Sequence, residues 1–478
     1  MTNQDGDILM ATRTVPQQTL PGPSALPLLG SGANLLKLFR DPCIYSRWLH
    51  DTYGDVVAMA HGDPAYVFAF GPALNFHLLS QPTLFEVGKG KILKASKDTA
   101  LGRLLLFNLL NMNGEHHKRH RHLMQPAFHK RQIGLYHDDM AALTRLMLER
   151  WQSLSQIELH AEMKKLTQRI TVKTLFGLSD EKEIDQIGAL FQQLQASQSR
   201  LMYTPLIDVP GMPYHHTLKL AGQLESFIRA MIAHKREDGE RTDVLAALVR
   251  AHDEDGTKLT DDELVSHTLT LYAAGHVTTS NALTWTIFLL HQHPRIHADL
   301  LAELDGKLHG DAPALESLHQ LSLLDGVIKE SLRLLPPTPT SMRIAASPCE
   351  VGGFALPKGS TIFFSPFLTH REPSLYEEPD RFKPQRWATL SPTPYEYLPF
   401  AAGPHRCLGA EFALQEMKVV LAMLLQRSRL AVVPNARIEP KGSNLDPAHG
   451  MPMRILQEDQ QFERVPVRGS IHRLVEFG

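Results

Sequence analysis

The chain has 478 residues, of which 43% are hydrophobic and 21% charged, so it is long enough and apolar enough to bury a large core. Its formal net charge of -2 gives no overall reason to bind nucleic acid or an acidic membrane surface. Three cysteines cannot pair evenly and are too few for a disulfide framework, which indicates a reducing compartment and therefore the cytoplasm.

The N-terminal part of the chain predicts a tail, an extended lead-in and a hairpin. Residues 1–20 contain no apolar run, so we expect a polar tail and neither a secretory signal nor a membrane anchor. Prolines within 21–27 predict an extended segment. Two β-rich runs within 56–70 flank a Gly-Asp-Pro turn and predict a β-hairpin.

Helical spacing then dominates residues 112–300, interrupted at 203–213 by three prolines and one glycine. The uncharged run at 264–294 carries too many histidines and hydroxyl groups for a membrane span, and it predicts a long central helix of the core. Short strands at 350–356 and 361–364 precede a loop-rich segment and a final helix at about 408–425.

These elements predict one large domain, mainly α with small β-sheets, because the sequence contains no internal repeat and no long linker. The polar residues 457–478 are expected to form a C-terminal extension that either packs on the domain or is disordered.

The sharpest local pattern is the run FAAGPHRCLG, which places Cys407 between Gly403 and Gly409, just before the final helix. Glycines allow tight turns and the close approach of a flat ligand, and the positive end of a helix lowers a thiol pKa. From the residues alone, Cys407 is a nucleophile, an iron ligand or a buried thiol. Zinc is disfavoured because no second cysteine lies nearby.

A second pattern, Ala274-Gly275-His276-Val277-Thr278, lies in the middle of the long helix. The Thr278 hydroxyl can bond to the carbonyl of Ala274, four residues earlier. With Gly275, this arrangement predicts either a groove for a small molecule such as dioxygen or a notch for helix packing.

A third pattern pairs Glu330 with Arg333, which share a helix face at i and i+3. The spacing says little by itself, because exposed pairs of this kind are common. Further along, Arg381 in the run PDRFKPQRW is expected to complete a buried ion network with them.

The order and spacing of these motifs resemble the cytochrome P-450 superfamily, in its soluble bacterial form, from about residue 21 to residue 454. The resemblance implies the cytochrome P-450 fold for residues 21–456, as a single domain whose long central helix lies over the haem. It implies that Cys407 holds the iron of haem b, within a loop shaped by Phe400, Gly403 and Gly409.

The resemblance also gives the other two motifs their roles. The residues of the implied oxygen-binding groove are Ala274, Gly275 and Thr278. Those of the implied structural ion network are Glu330, Arg333 and Arg381. One position departs from the family, since Val277 stands where an acid usually helps Thr278 to relay protons. The neighbouring His276 is no substitute, because it lies about 200° round the helix from Thr278.

Basic residues are implied to bind the haem propionates, since arginine and histidine donate charge-assisted hydrogen bonds to carboxylates. They are His117 and Arg121, four residues apart on one predicted helix, with Arg343 and His405 from later in the chain.

Two other interpretations of the histidine-rich helix stay open. His116 and His120 have i, i+4 spacing suited to a zinc site, but the sequence offers no third committed ligand. The helix could instead present a basic face, with Lys118 and Arg119, to an acidic electron donor.

The implied function is a haem-dependent monooxygenase that activates dioxygen with two external electrons and hydroxylates or epoxidises a mainly apolar organic substrate. The chain contains no flavin or iron–sulfur segment, so the implied partners are a ferredoxin or flavodoxin and its reductase, with NAD(P)H acting indirectly. A peroxide-driven or oxidative-coupling enzyme and a non-catalytic haem gas sensor are the alternatives. The implied pocket walls are residues 89–110, 192–212, 269–279 and 337–341, which do not identify the substrate.

Overall fold

The computed structural model of the protein describes residues 19–25, 30–88, 96–201, 204–237, 243–308, 313–456 and 464–477. The helices in these residues are, in chain order, α1 (Gly32–Arg40), α2 (Pro42–Tyr53), α3 (Pro72–Ser80), α4 (Ala100–Leu106), α5 (Gly114–Met124), α6 (Lys130–Leu135), α7 (His137–Trp151), α8 (Leu159–Phe176), α9 (Glu181–Leu201), α10 (Pro213–Glu237), α11 (Val244–Arg250), α12 (Asp261–His291), α13 (Pro294–Lys307), α14 (Leu315–Leu318), α15 (Ser322–Leu334), α16 (Pro366–Thr369) and α17 (Ala410–Arg427).

The strands are short and lie in four small sheets of the described residues. They are β1 (Val56–Ala58), β2 (Tyr66–Ala69), β3 (Phe85–Glu86), β4 (Gln156–Glu158), β5 (Ser341–Ala345), β6 (Cys349–Val351), β7 (Phe354–Leu356), β8 (Thr361–Phe364), β9 (Arg429–Val432), β10 (Pro440–Lys441), β11 (Asp446–Pro447) and β12 (Pro452–Leu456). The prediction of a mainly helical chain with small sheets is therefore confirmed.

The predicted central helix is α12, which has 31 residues. It begins where Thr260 and Glu263 form a capping box, in which each side chain accepts a hydrogen bond from the other residue's backbone N–H. Three acidic residues in its first turn complement the positive end of the helix dipole. No helix of the described residues is both long and apolar enough to cross a bilayer.

Helix α12 runs through the core, which explains why its uncharged residues are mostly buried. It packs along α8, and α4, α15 and α17 also contact it. The buried apolar residues of these helices belong to one large cluster. This cluster fixes α12 between the helix that follows Cys407 and the helix that carries Glu330.

The largest sheet has the strand order β1-β2-β8-β5-β3. Strands β1 and β2 pair antiparallel, with Val56 opposite Ala69, which confirms the predicted hairpin. Strand β5 pairs antiparallel with β8 and places Arg343 opposite Ile362. The sheet therefore carries one of the predicted propionate residues into the domain.

The C-terminal residues 464–477 pack on the domain. Ile471, Leu474 and Val475 are buried. The Arg371 guanidinium donates a hydrogen bond to the Leu474 carbonyl at 2.8 Å. The sequence left open whether the C-terminal extension packs on the domain or is disordered, and residues 464–477 pack on it.

Candidate active site

Backbone hydrogen bonds fix the loop before Cys407. The Cys407 N–H donates to the Phe400 carbonyl at 2.8 Å, and the Arg406 N–H donates to the Gly403 carbonyl at 3.0 Å. Gly403 has a φ of +70°, and a Cβ added there would lie 2.1 Å from the Leu79 carbonyl oxygen. Glycine is therefore required at 403 both by its conformation and by the lack of space.

The Cys407 sulfur lies at the start of α17, whose N-cap is Gly409. The side chain is accessible from solvent, yet burial by the surrounding protein atoms raises the pKa of its thiol. The Gly409 N–H donates a hydrogen bond to the sulfur, and the charges of Arg121 and Arg406 also favour a thiolate. These groups oppose the effect of burial. Coordination to a metal would deprotonate the thiol outright.

Four basic side chains, which we call the basic cluster, meet beside this loop: His117, Arg121, Arg343 and His405. The His117 and His405 rings lie 3.9 Å apart between centroids. The Arg121 guanidinium donates a hydrogen bond to the Arg406 carbonyl at 2.7 Å. Burial, together with the charges of His117, Arg343 and Arg121, lowers the pKa of His405 to about 3. The structure thus brings together all four residues that the sequence nominated.

The positive charge of the basic cluster matches the negative charge of the haem propionates. Arg343 is 5% exposed, and burial lowers its pKa to about 10. Its guanidinium donates to the Met342 carbonyl and lies 5.5 Å from the centre of the Phe364 ring. In the described residues, no carboxylate forms an ion pair with any member of the cluster. A buried cation without an anion is costly, so the cluster fits a ligand that carries carboxylates, as the haem propionates do.

One strip in the middle of α12 is accessible, although most residues of this helix are buried. We call Ala274, Val277 and Thr278 the accessible strip, since Ala274 is exposed and the other two are partly exposed. The Thr278 hydroxyl donates to the Ala274 carbonyl at 2.8 Å, as predicted. The His276 ring is buried and pairs with the Tyr272 carbonyl at 2.7 Å. His276 therefore does not share the strip with Thr278.

Gly275 lies at the contact between α12 and α8. A Cβ added at Gly275 would lie 3.1 Å from the Thr171 hydroxyl oxygen and 3.2 Å from its methyl carbon. A larger residue at 275 would therefore crowd the Thr171 side chain on α8. This geometry favours the packing interpretation for Gly275, while the accessible side of the motif consists of Ala274 and Thr278.

Glu330 and Arg333 form a fully buried ion pair. Two guanidinium nitrogens of Arg333 donate to the two carboxylate oxygens of Glu330, each at 2.9 Å. Arg386 Nε and Trp387 Nε1 also donate to this carboxylate, at 3.1 and 3.0 Å. The buried charge of Glu330 is therefore matched by two arginines and further hydrogen bonds, as a buried carboxylate requires.

The prediction that Arg381 completes this network is wrong, and Arg386 takes that place. The Arg381 side chain is 52% exposed and pairs with Glu378 and Glu476. Only its backbone carbonyl accepts a hydrogen bond from Arg333, at 3.1 Å. The reason is the turn that follows, because the 3-10 helix Pro384–Ala388 returns the chain and points Arg386 at Glu330.

Sequence reasoning missed Glu416, which lies in the middle of α17. The residue is fully buried, and neither carboxylate oxygen has a hydrogen-bond partner in the described residues. Burial raises the pKa of this carboxyl well above its usual value and so favours the protonated form. Its place among the buried apolar residues of α17 was the signal that could have revealed it.

Two of the implied pocket walls expose large apolar side chains. Leu110 is 65% exposed, and in the loop before α10 Ile207 and Val209 are each 50% exposed. Residues 89–95 of the first wall lie outside the described residues.

A family model described as cytochrome P450 matches residues 20–452. The chain belongs to the cytochrome P450 family. Among its relatives is the cyclooctat-9-en-7-ol 5-monooxygenase of Streptomyces melanosporofaciens, which is 32% identical over 88% of this chain and 92% of the relative. The pentalenene oxygenase of Streptomyces avermitilis is 31% identical over 90% of this chain and 95% of the relative.

The retinoic-acid-bound structure of cyanobacterial CYP120A1 superposes on the chain with a TM-score of 0.78. The match covers 92% of this chain and 99% of that one, at 24% identity, and therefore concerns the fold. Together these similarities confirm the P450 fold and a P450 monooxygenase, whereas the roles of individual residues stay predictions.

Proposed function

We propose that this P450 monooxygenase binds haem b through Cys407 and oxidises a mainly apolar, terpene-like substrate. The observation that carries the proposal is the solvent-accessible Cys407 thiol beside the basic cluster, whose buried member Arg343 has no carboxylate partner among the described residues. A thiolate can hold the haem iron, and cations can bind the two propionates, so both features suit a haem-thiolate site.

The residues around Cys407 hold the cofactor and its charge. The Gly409 N–H and the positive end of α17 stabilise the negative sulfur. Arg121 and Arg343 bind the propionates as charged donors, and His117 and His405 donate through their ring N–H groups. When bound, the haem supplies the activation of dioxygen and the transfer of one oxygen atom to a C–H or C=C bond.

Thr278 is proposed to hold and move a proton at its hydroxyl oxygen. In the structure this hydroxyl donates to the Ala274 carbonyl, which leaves its lone pairs open to a donor on the accessible strip. Val277 cannot carry a proton, so an ordered water or a hydroxyl group of the substrate must feed Thr278. We infer that electrons come from a separate ferredoxin or flavodoxin with its reductase, because the chain contains no flavin or iron–sulfur segment.

Three features support an apolar substrate. The accessible strip presents a methyl group, an isopropyl group and one hydroxyl group from Ala274, Val277 and Thr278. The pocket segments expose Ile207 and Val209. The relatives are named for cyclooctat-9-en-7-ol and pentalenene, both unsaturated compounds with little or no oxygen. The three free cysteines support a reducing compartment, which we take to be the cytoplasm.

The carbon monoxide spectrum of the reduced protein tests the thiolate ligand. The native protein is expected to give the absorption band of a haem with an anionic sulfur ligand, and Cys407→Ser is expected to lose that band while it keeps its fold by circular dichroism. Survival of the band in Cys407→Ser would overturn the assignment. A screen of terpene hydrocarbons and alcohols, read by the iron spin state and by product analysis, tests the substrate class.

Replacement of Arg343 tests the basic cluster separately. Arg343→Met removes a buried cation, so the haem-free protein should become more stable while the haem dissociates faster. Transfer of haem to an excess of a haem-scavenging protein measures the second effect. An unchanged rate of haem transfer would show that Arg343 does not bind a propionate.

A peroxide-driven enzyme is the second candidate, and Val277 is the observation that favours it. An enzyme supplied with hydrogen peroxide receives its protons with the oxidant and needs less relay. Turnover with peroxide at the rate reached with a reductase would favour this candidate. Val277→Glu should then leave the peroxide-supported rate unchanged, whereas it should raise the reductase-supported rate if a relay acid is limiting.

A further inference from the structure

Helix α5 and the start of α12 bring together four residues that the proposed haem site does not use. We call them the His–Glu cluster: His116, His120, Glu263 and His267. His116 and His120 lie on one face of α5, with ring centroids 4.4 Å apart. Glu263 is in the first turn of α12, and His267 follows one turn later. The sequence suggested a zinc site at His116 and His120 but offered no third ligand, and Glu263 now supplies one.

The distances within the cluster suit a metal ion. His116, His120 and Glu263 each offer a ligand atom, and these atoms lie within 4.8 Å of one another. His120 Nε2 and Glu263 Oε1 are 3.2 Å apart. In a tetrahedral zinc site with bonds of about 2.0–2.1 Å, neighbouring ligand atoms are separated by roughly 3.3 Å. His120 Nε2 and Glu263 Oε1 already have about this separation, and the exposed His116 side chain can turn to close the third position.

The buried nitrogen of His120 points to a missing ligand. His120 is fully buried, and its Nε2 makes no hydrogen bond of proper geometry in the described residues, although Glu263 Oε1 is close. Leaving a buried polar atom unsatisfied is costly. A cation between this nitrogen and the carboxylate oxygen would satisfy both atoms.

His267 sets the ring of His120 in the orientation that a metal ligand needs. His120 Nδ1 lies 2.9 Å from His267 Nε2. At this distance His267 Nε2 can accept the Nδ1 proton of His120. The lone pair of His120 then lies on Nε2, facing Glu263. Metal-binding histidines usually donate their second ring N–H to a neighbouring acceptor, and His267 Nε2 provides an acceptor here.

The two carboxylate oxygens of Glu263 face different partners. Oε2 accepts the Thr260 N–H at 2.8 Å, as part of the capping box of α12. Oε1 is the oxygen that faces His120. The helix cap therefore holds the carboxylate in place, with one oxygen directed at the imidazole. Such advance ordering reduces the entropy lost when a ligand binds.

We propose that His116, His120 and Glu263 bind a zinc ion, with a water in the fourth position. Two imidazoles and one carboxylate form a ligand set that zinc accepts, and an open fourth position leaves the ion exchangeable. The ion joins α5, which carries His117 and Arg121, to the helix that carries Thr278. The proposal does not depend on the proposed substrate or on the role of Cys407.

Calorimetric titration of the haem-loaded, untagged protein with zinc chloride tests the site. The native protein should bind one zinc ion per chain with a distinct, tightest affinity. Glu263→Gln should weaken that affinity at least tenfold, and it keeps the helix cap because glutamine also serves at this position of a capping box. His116→Ala should weaken it similarly, and the fold tolerates this change because His116 is exposed. His122→Ala is the matched control, since His122 is exposed on the same helix.

The second measurement is thermal unfolding with and without zinc. The unfolding temperature of the native protein and of His122→Ala should rise with zinc, whereas that of Glu263→Gln and His116→Ala should not. Absence of a distinct zinc affinity in the native protein would overturn the proposal. It would equally fail if His122→Ala lost as much affinity as His116→Ala, because binding would then belong to scattered surface histidines. The carbon monoxide spectrum of each variant verifies that the haem site is unchanged.

Discussion

Replacing Arg386 by methionine should destabilise the protein, whereas the same change at Arg381 should not. Arg386 Nε donates to the buried carboxylate of Glu330 at 3.1 Å, and its other nitrogens donate to the carbonyls of Glu377 and Glu378. Methionine keeps most of the aliphatic stem and removes all three donors. The Arg381 side chain reaches only exposed carboxylates.

The expected loss for Arg386→Met is about 2–4 kcal/mol in the free energy of unfolding. A hydrogen bond to a buried charge contributes roughly 1.5–3 kcal/mol, and the two bonds to peripheral carbonyls add a smaller, solvent-weakened amount. Removing the only partner of a buried charge destabilises a protein by roughly 3–5 kcal/mol. The loss for Arg386→Met should be smaller, because Arg333 still forms an ion pair with Glu330. Exposed ion pairs contribute little, so Arg381→Met should match the native protein.

Urea unfolding of the haem-loaded proteins, followed by circular dichroism and by the haem band, measures the difference. With a slope of about 3 kcal/mol per molar urea, the midpoint of Arg386→Met should fall by on the order of 1 M. A fall for Arg381→Met with no change for Arg386→Met would refute the network described here. Equal falls would show that the whole loop, and not the contact with Glu330, determines the stability.

Three further changes test other parts of the structure. Thr278→Ala should let electron consumption continue while product falls and hydrogen peroxide accumulates, which an oxygen-electrode and product assay measures; unchanged coupling would exclude Thr278 from proton transfer. Gly403→Ala should abolish haem incorporation, because its Cβ would collide with the Leu79 carbonyl, whereas Gly222→Ala, with open space in α10, should raise the unfolding temperature slightly. Because the pKa of Glu416 is raised in the folded protein, its contribution to the free energy of unfolding is present at low pH and is lost as pH rises above the usual carboxyl range. Unfolding experiments at several pH values should therefore show a smaller loss of stability with rising pH for Glu416→Gln. An equal loss in the variant and the native protein would contradict a raised carboxyl pKa.

Local patterns were sufficient to predict much of the fold. The uncharged run at 264–294 predicted α12 because a polar but uncharged helix suits the centre of a large core. The runs around a Gly-Asp-Pro turn predicted β1 and β2 because strand alternation and turn residues act over a few positions. In both cases the determining interactions lie within the segment itself.

The features of the site that the sequence did not predict correctly depend on contacts between distant segments. An i, i+3 spacing placed Arg333 on Glu330, but the choice between Arg381 and Arg386 depends on a turn that only the packed structure defines. The third ligand beside His120 was equally hidden, because Glu263 lies on another helix. Periodicity carries no information about which helices become neighbours.

The return of residues 464–477 to the domain affects how the protein can be engineered. Phe477 packs edge-on against Phe288 in the last turns of α12, with ring centroids 5.8 Å apart. The Arg371 guanidinium uses the Leu474 carbonyl as an acceptor. An electron-transfer module fused after Phe477 therefore needs a long flexible linker, since a short linker would disturb the contact between Phe477 and α12. Truncation after residue 456 would remove a hydrogen-bond acceptor of the buried Arg371 guanidinium and expose the apolar surface that residues 464–477 cover.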